Sequence, residues 1–313
     1  MTEQTVGTAE PGAPSARGYA LVVTGAILWG CLGLFYSVVM GRYGLSSLQT
    51  VFWRALIASL LLGLWLRVRA PETLCVQRQD LPLLLVMGAI GVAATFWIYA
   101  YAIREIGMGV AAVLQYVAPA WVALYSALRW GERVTVTRIV ALVLALAGVA
   151  LVGRIYDTSG VQLSLMGVLA ALFTSITYAS YVLMIKTATR RGYGARTILF
   201  YGLAVGTLCL APLQRAETLQ AVLRAPGIIP WLIALALVTL GAGLTFNAGL
   251  RDVPASSASI VATMEPLTAV VLGWLILSES MDGLQVLGAL CILWSVTVLQ
   301  LQRVKRHGKH GAP

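Results

Sequence analysis

Ten apolar stretches, each close to the length a helix needs to cross a bilayer, follow one another along the chain. They cover residues 18–40, 46–66, 81–103, 107–129, 137–153, 163–186, 195–214, 229–250, 254–277 and 283–300. A helix rising about 1.5 Å per residue needs about 20 apolar residues to cross about 30 Å of hydrocarbon. The fifth and tenth stretches are the shortest, and the connections are too short to hold a separate soluble domain. The predicted fold class is an all-α membrane protein with ten transmembrane helices. Only 11% of residues are charged, 59% are hydrophobic and mean hydropathy is +0.85. A water-soluble domain carries about 25% charged residues, so lipid must be part of the solvent.

The net charge of +10 is distributed in short clusters between the apolar stretches, with no basic domain of the kind that binds nucleic acid. Lys and Arg in short loops set membrane orientation. With the N-terminus cytoplasmic, 16 Lys and Arg fall inside and 5 outside (Arg42, Arg104, Arg154, Arg215 and Arg224), and Arg54 lies within a helix. This asymmetry predicts an even number of spans in the inner membrane with both termini cytoplasmic. Residues 1–17 are rich in Thr, Glu, Pro, Gly and Ala and are predicted to be disordered. They lack the basic n-region of a signal peptide, so the first apolar stretch is expected to be a retained helix. Residues 301–313 form a basic cytoplasmic tail containing RVKRHGKH, which touches anionic lipid or simply enforces orientation. The four cysteines have no metal-site or CxxC spacing and are read as packing residues.

The two halves of the chain match at a constant offset of 147 residues. AIREIG at 102–107 aligns with GLRDVP at 249–254, TVFWR at 50–54 with TILFY at 197–201, Pro119 with Pro266, and Glu132 with Glu279. Residues 18–153 and 163–300 thus form two five-helix repeats. Because five is odd, the second repeat must cross the membrane in the opposite sense. Inverted repeats of this kind are a signature of secondary transporters, in which the two halves exchange conformations around a site near mid-membrane.

The stretches FWRALIASLLL (52–62), VLQYVAP (113–119) followed by Glu132, MEP (264–266) followed by Glu279, and LWG (28–30) resemble the ten-helix drug/metabolite transporter superfamily, EamA branch. The resemblance covers about residues 18–300. It implies export or exchange of small metabolites across the cytoplasmic membrane, without naming a substrate.

Arg54 lies eight residues from the outer end of the second stretch, about 12 Å deep. An arginine at mid-membrane costs about 2.5–3.5 kcal/mol on insertion scales and needs a partner or water. It either binds a substrate carboxylate in a cavity or ties helices together. Glu265, eleven residues into the ninth stretch, lies at nearly the same depth on the same arithmetic. It either binds a substrate amine, carries a proton in a coupled cycle, or pairs with a fixed cation. Pro119 and Pro266 lie inside helices and free the carbonyls of Gln115 and Ala262, which reads as a hinge, a cavity lining or a packing kink. Gln115 itself shares the depth of Arg54. Trp29, Tyr116 and Trp121 fall at mid-depth, where they wall a binding cavity or pack between helices. Tyr36, Tyr43, Tyr99, Tyr101, Trp130 and Tyr193 fall near stretch ends and read as interfacial anchors. Glu132 and Glu279, at helix ends, read as structural.

No HExxH, GxSxG or Walker loop occurs, so nothing in the sequence points to an enzyme, a metal, a cofactor or a nucleotide-driven pump. The expected function is a secondary transporter of small organic metabolites such as amino acids. The competing expectation is a non-transporting membrane protein, a lipid-handling or assembly factor, which a dry and fully packed bundle centre would favour. For the orientation, an impermeant thiol reagent added outside intact cells should modify a cysteine at Asp157 and spare one at Arg191. The reverse pattern would overturn the topology.

Overall fold

The computed structural model describes residues 15–132, 134–157, 164–215, 220, 222, 224–278 and 280–310, with side chains described as far as 301. Of residues 1–17, expected to be disordered, 1–14 lie outside the described residues, while Ser15 caps the first helix and Ala16 and Arg17 open it. Glu279 and, for side chains, the basic tail also lie outside the described residues. Ten apolar helices are found among the described residues. They are α1 Ala16–Tyr43, α2 Ser47–Arg69, α3 Arg78–Ile106, α4 Met108–Trp130, α5 Val136–Val152, α6 Leu165–Arg190, α7 Ala195–Leu213, α8 Pro226–Asp252, α9 Ala255–Leu277 and α10 Gly283–Leu301. Nine are long enough to span a bilayer by length and composition, and α5 is shorter. The backbone of α10 continues helically to His310.

The first turns of several helices are capped by serine. Ser46 accepts from the Gln49 N–H while Gln49 Oε1 accepts from the Ser46 N–H, a reciprocal cap for α2. Ser15 caps α1 and Ser164 caps α6 in the same way, each accepting the N–H three residues on.

These two serines also reveal the relation between the halves. Ser15 Oγ lies 3.5 Å from Asp252 at the end of α8, and Ser164 Oγ lies 3.1 Å from Glu105 at the end of α3. Asp252 and Glu105 are 147 residues apart. The same joint therefore occurs twice, once joining the start of α1 to the end of α8 and once joining the start of α6 to the end of α3. The end of α6 returns to the first of these joints, since Lys186 bonds the carbonyls of Leu250 and Val253. The start of α1 and the end of α6 thus share one face, and the two repeats are inverted. The packing pattern agrees: α1 lies on α8 and α9 as α6 lies on α3 and α4, while α2 pairs with α7 and α5 with α10. We call the face carrying Ser15 and Lys186 the termini face, and its opposite the far face.

Lipid offers no hydrophobic drive between helices, so close backbone approach must supply the contact. Where α5 crosses α10, a Cβ on Gly148 would lie 2.7 Å from the Gly288 oxygen, and one on Gly288 would lie 2.7 Å from the Leu151 Cβ. Replacing either by valine should destabilise the protein by about 1–3 kcal/mol, the usual range for overpacking. Gly41→Ala, with open space around it, is the control. Thermal unfolding of the detergent-solubilised protein that ranked all three variants equally would contradict this packing.

Candidate functional site

Three of the central helices depart from regular α geometry. α4 is interrupted at Tyr116 and Val117, between Met108–Gln115 and Ala118–Trp130. α9 is interrupted at Ala262 and Thr263, between Ala255–Val261 and Met264–Leu277. Tyr116 and Thr263 are 147 residues apart, so the breaks are repeat-related. Pro119 and Pro266 lie just beyond them. The carbonyl that Pro266 frees, that of Ala262, accepts the Glu265 N–H at 3.0 Å instead. α3 contains a wide turn over Met87–Ala94, a device often found beside functional sites.

Arg54, two turns into α2, is 6% exposed. Its guanidinium carbon lies 5.0 Å from the Phe96 ring centre on α3 and 6.0 Å from that of Tyr36 on α1. Its Nε has no hydrogen-bond partner, and no carboxylate lies within 4.0 Å among the described residues. Among the described residues the cation's close partners are these ring faces, each contact worth about 0.5–2 kcal/mol. Glu265 opens the second half of α9 with its carboxylate beside the Tyr116 hydroxyl, and it feels the charge of Arg54 at longer range. Tyr36 lies in the field of both charges, and Tyr99 and Tyr178 in that of Glu265. Of these side chains Tyr116 is buried, and Tyr36, Tyr99, Tyr178 and Glu265 are half-buried. Tyr178 Oη on α6 and both side-chain polar atoms of Asn247 on α8 are buried without a partner. Each such group costs about 1–3 kcal/mol unless something polar meets it.

The structure thus gathers Arg54, Glu265 and Tyr116. Trp29 flanks them, tilted on Phe246 with ring centres 4.7 Å apart. Gln115 is half-buried beside the α4 break, Pro119 is buried and Pro266 half-buried. Trp121 lies elsewhere: it is 41% exposed and donates its indole N–H to Ser175 on α6 at 3.0 Å. The sequence reading missed Phe96, Tyr178, Tyr181 and Asn247, and it placed Tyr36 and Tyr99 at the interface. The available signal was the pairing of aromatic residues three apart, 96 with 99 and 178 with 181, on the buried stripes of α3 and α6.

The two faces differ in closure. On the termini face, Lys186 Nζ donates to the carbonyls of Leu250, Val253 and Arg251 at 2.5, 2.8 and 3.2 Å. All three ammonium protons meet carbonyls that the end of a helix leaves unpaired, at the negative pole of the α8 dipole. Glu132 bridges α4 to Ser256 on α9 and to Arg138 on α5, and Asp80 binds Arg191 and Tyr193. The counterpart of Asp80 is Gly227, whose carbonyl accepts the Tyr43 hydroxyl. On the far face a cavity of about 840 Å³ opens between α2, α3 and the end of α7.

A family model for the EamA-like transporter family matches residues 16–154 and again 165–301. The chain belongs to the EamA-like transporter family. Within this family it is 32% identical over 267 residues to the pseudopaline exporter of Pseudomonas aeruginosa, covering 84% of this chain and 88% of that one. It is 26% identical over 298 residues to the uncharacterized inner membrane transporter YicL of Salmonella typhimurium, covering 93% and 97%. A solved crystal structure superposes with a TM-score of 0.73 over 92% of this chain and 98% of that one, at 17% identity, and so shares the fold. This EamA-like protein is a multi-pass inner-membrane transporter of small molecules.

Lys186→Met should loosen the termini face. Each charge-assisted bond contributes about 1.5–3 kcal/mol, so amide exchange over residues 251–253 should quicken by at least about tenfold. Unchanged exchange there would show that Lys186 holds nothing closed.

Proposed function

We propose that this EamA-like transporter exports small zwitterionic metabolites such as amino acids by alternating access, with both termini cytoplasmic. The observation that carries the reading is a separated pair of opposite charges in one chamber. Arg54 lies against aromatic rings with a free Nε, and Glu265 feels its charge without a contact ion pair. A fixed structural tie would bring the two into contact. Two charges out of contact, with the unpartnered Tyr178 hydroxyl in the field of Glu265, instead suit a ligand that carries its own carboxylate and amine. Arg54 would take the carboxylate and Glu265 the amine. In the empty chamber Glu265 can take up a proton in place of the amine, which would couple export to proton entry.

Residues 18–153 and 163–300 would be the units that exchange conformations. The breaks at Tyr116 and Thr263 give each unit a repeat-related point of bending. With the termini face bonded by Lys186 and a cavity open at the far face, the conformation described is open to the outside on the orientation argued from the basic residues. The exporter among its relatives supports the direction of transport.

In proteoliposomes, Arg54→Ala and Glu265→Gln should each reduce efflux of the transported amino acid by at least about tenfold, the effect of losing one charge-assisted hydrogen bond. Expression and folding should stay near normal. Restored flux in the charge-swapped double variant would mark a structural pair, and full activity in both single variants would remove the chamber from the mechanism.

A further inference from the structure

We infer that the far-face cavity is a separate anion-binding vestibule, which collects carboxylate-bearing small solutes one step outside the central chamber. The inference rests on the transporter reading for its purpose, but the site stands on its own geometry. The cavity, about 840 Å³, is lined from three sides by Gln49 of α2, Ala100, Tyr101 and Arg104 of α3, and Gln214 and Arg215 after α7. Its volume suits a small organic ligand with its water.

Two of the five arginines assigned to the sparsely charged outer side of the chain converge on this one cavity. Among the described residues neither has an ion-pair partner, and no acidic side chain is among the described residues that line the cavity. The nearby Glu105 is occupied by Ser164. The Arg104 guanidinium lies 5.3 Å from the Tyr101 ring centre, which fixes its position without consuming its hydrogen-bond donors. The cavity also meets the first turn of α2, at Ser47 and Leu48, where free N–H groups and the positive dipole end add to the same sign of potential.

Placement ties the vestibule to the chamber. Phe96, whose ring faces Arg54, Ala100 and Arg104 recur every four residues and share one stripe of α3. On α2, Gln49 lies one turn before Trp53, and Ser47 two turns before Arg54. Arg54 and Glu265 do not line the cavity themselves. The arrangement is a graded row of cations, with Arg215 and Arg104 at the mouth and Arg54 about 12 Å deeper along the helices. A cleft lined by one sign of charge raises the local concentration of the opposite ion by tenfold or more. An exported carboxylate leaving Arg54 would find its next counter-ion in this vestibule.

The test needs no transport. The full-length protein carrying Ala100→Cys, with the four native cysteines replaced, is held in nanodiscs and treated with an anionic or a cationic methanethiosulfonate reagent. The anionic reagent should react about tenfold faster, at the low end for a cleft of one sign, and excess citrate should slow it while choline does not. Arg104→Gln combined with Arg215→Gln should bring the ratio to about one and abolish citrate protection, with the cysteine still reactive as evidence of folding. A ratio near or below one in the parent, no citrate protection, or an unchanged ratio in the double variant would each overturn the vestibule. Proteoliposome flux of the parent is measured separately. Absent flux with the charge ratio intact would remove the transport reading and leave the anion site, and the converse result would remove only the anion site.

Discussion

A chain crossing hydrocarbon has no water to satisfy its backbone, and this constraint shapes the whole molecule. It dictates helices everywhere, and it makes any interruption of a helix expensive unless the freed groups line a cavity or find another partner. α4 and α9 are both interrupted at repeat-related positions, beside Pro119 and Pro266. One freed carbonyl, that of Ala262, turns to the Glu265 N–H, so the break itself positions the acidic residue of the chamber. Tyr116, at the other break, meets the Glu265 carboxylate from the opposite repeat. Backbone irregularity and chemistry thus coincide, and both fall where the two repeats face each other.

The same economy governs charge. An arginine in the membrane is tolerated when something polarisable or polar surrounds it. Around Arg54 the surroundings are the rings of Phe96 and Tyr36 and a half-open chamber, with no carboxylate in contact. Rings attract a guanidinium without neutralising it, which leaves its charge available to a ligand. Lys186 shows the contrasting solution. Its ammonium is fully used by three main-chain carbonyls, so it is a fastener. One buried cation is held available and the other is consumed, and the difference lies entirely in the type of partner.

Inverted repeats make the two faces comparable joint by joint. Ser15 with Asp252 and Ser164 with Glu105 are the same joint retained on both faces. Tyr193 with Asp80 and Tyr43 with Gly227 are the same joint with its chemistry changed, charged on the termini face and neutral on the far face. The fasteners that differ are the stronger ones on the termini face, and the cavity opens on the other. In the alternation proposed above, near-equal halves with unequal closures would give two related conformations of unequal energy.

Ten helices, two repeats and the membrane itself were legible in the sequence, because apolar length and a repeated register are one-dimensional properties. The offset of 147 residues located Pro119 and Pro266 as equivalents, and the cost of a buried charge singled out Arg54 and Glu265. What the sequence could not decide is which way a mid-helix side chain points. Trp121 and Trp29 have similar depth along their helices, yet Trp121 turns out against Ser175 while Trp29 turns in against Phe246. Tyr36 and Tyr99 lie near stretch ends and read as anchors, but the helices run on past those ends and carry the rings into the chamber. Lys186, the last residue of the sixth stretch, counted only among the basic residues inside, because its three carbonyl partners lie some 65 residues away at the end of α8. Depth and register follow from the chain alone. Rotation about each helix axis, and hence the membership of the chamber and of the fasteners, is settled only when all ten helices pack together.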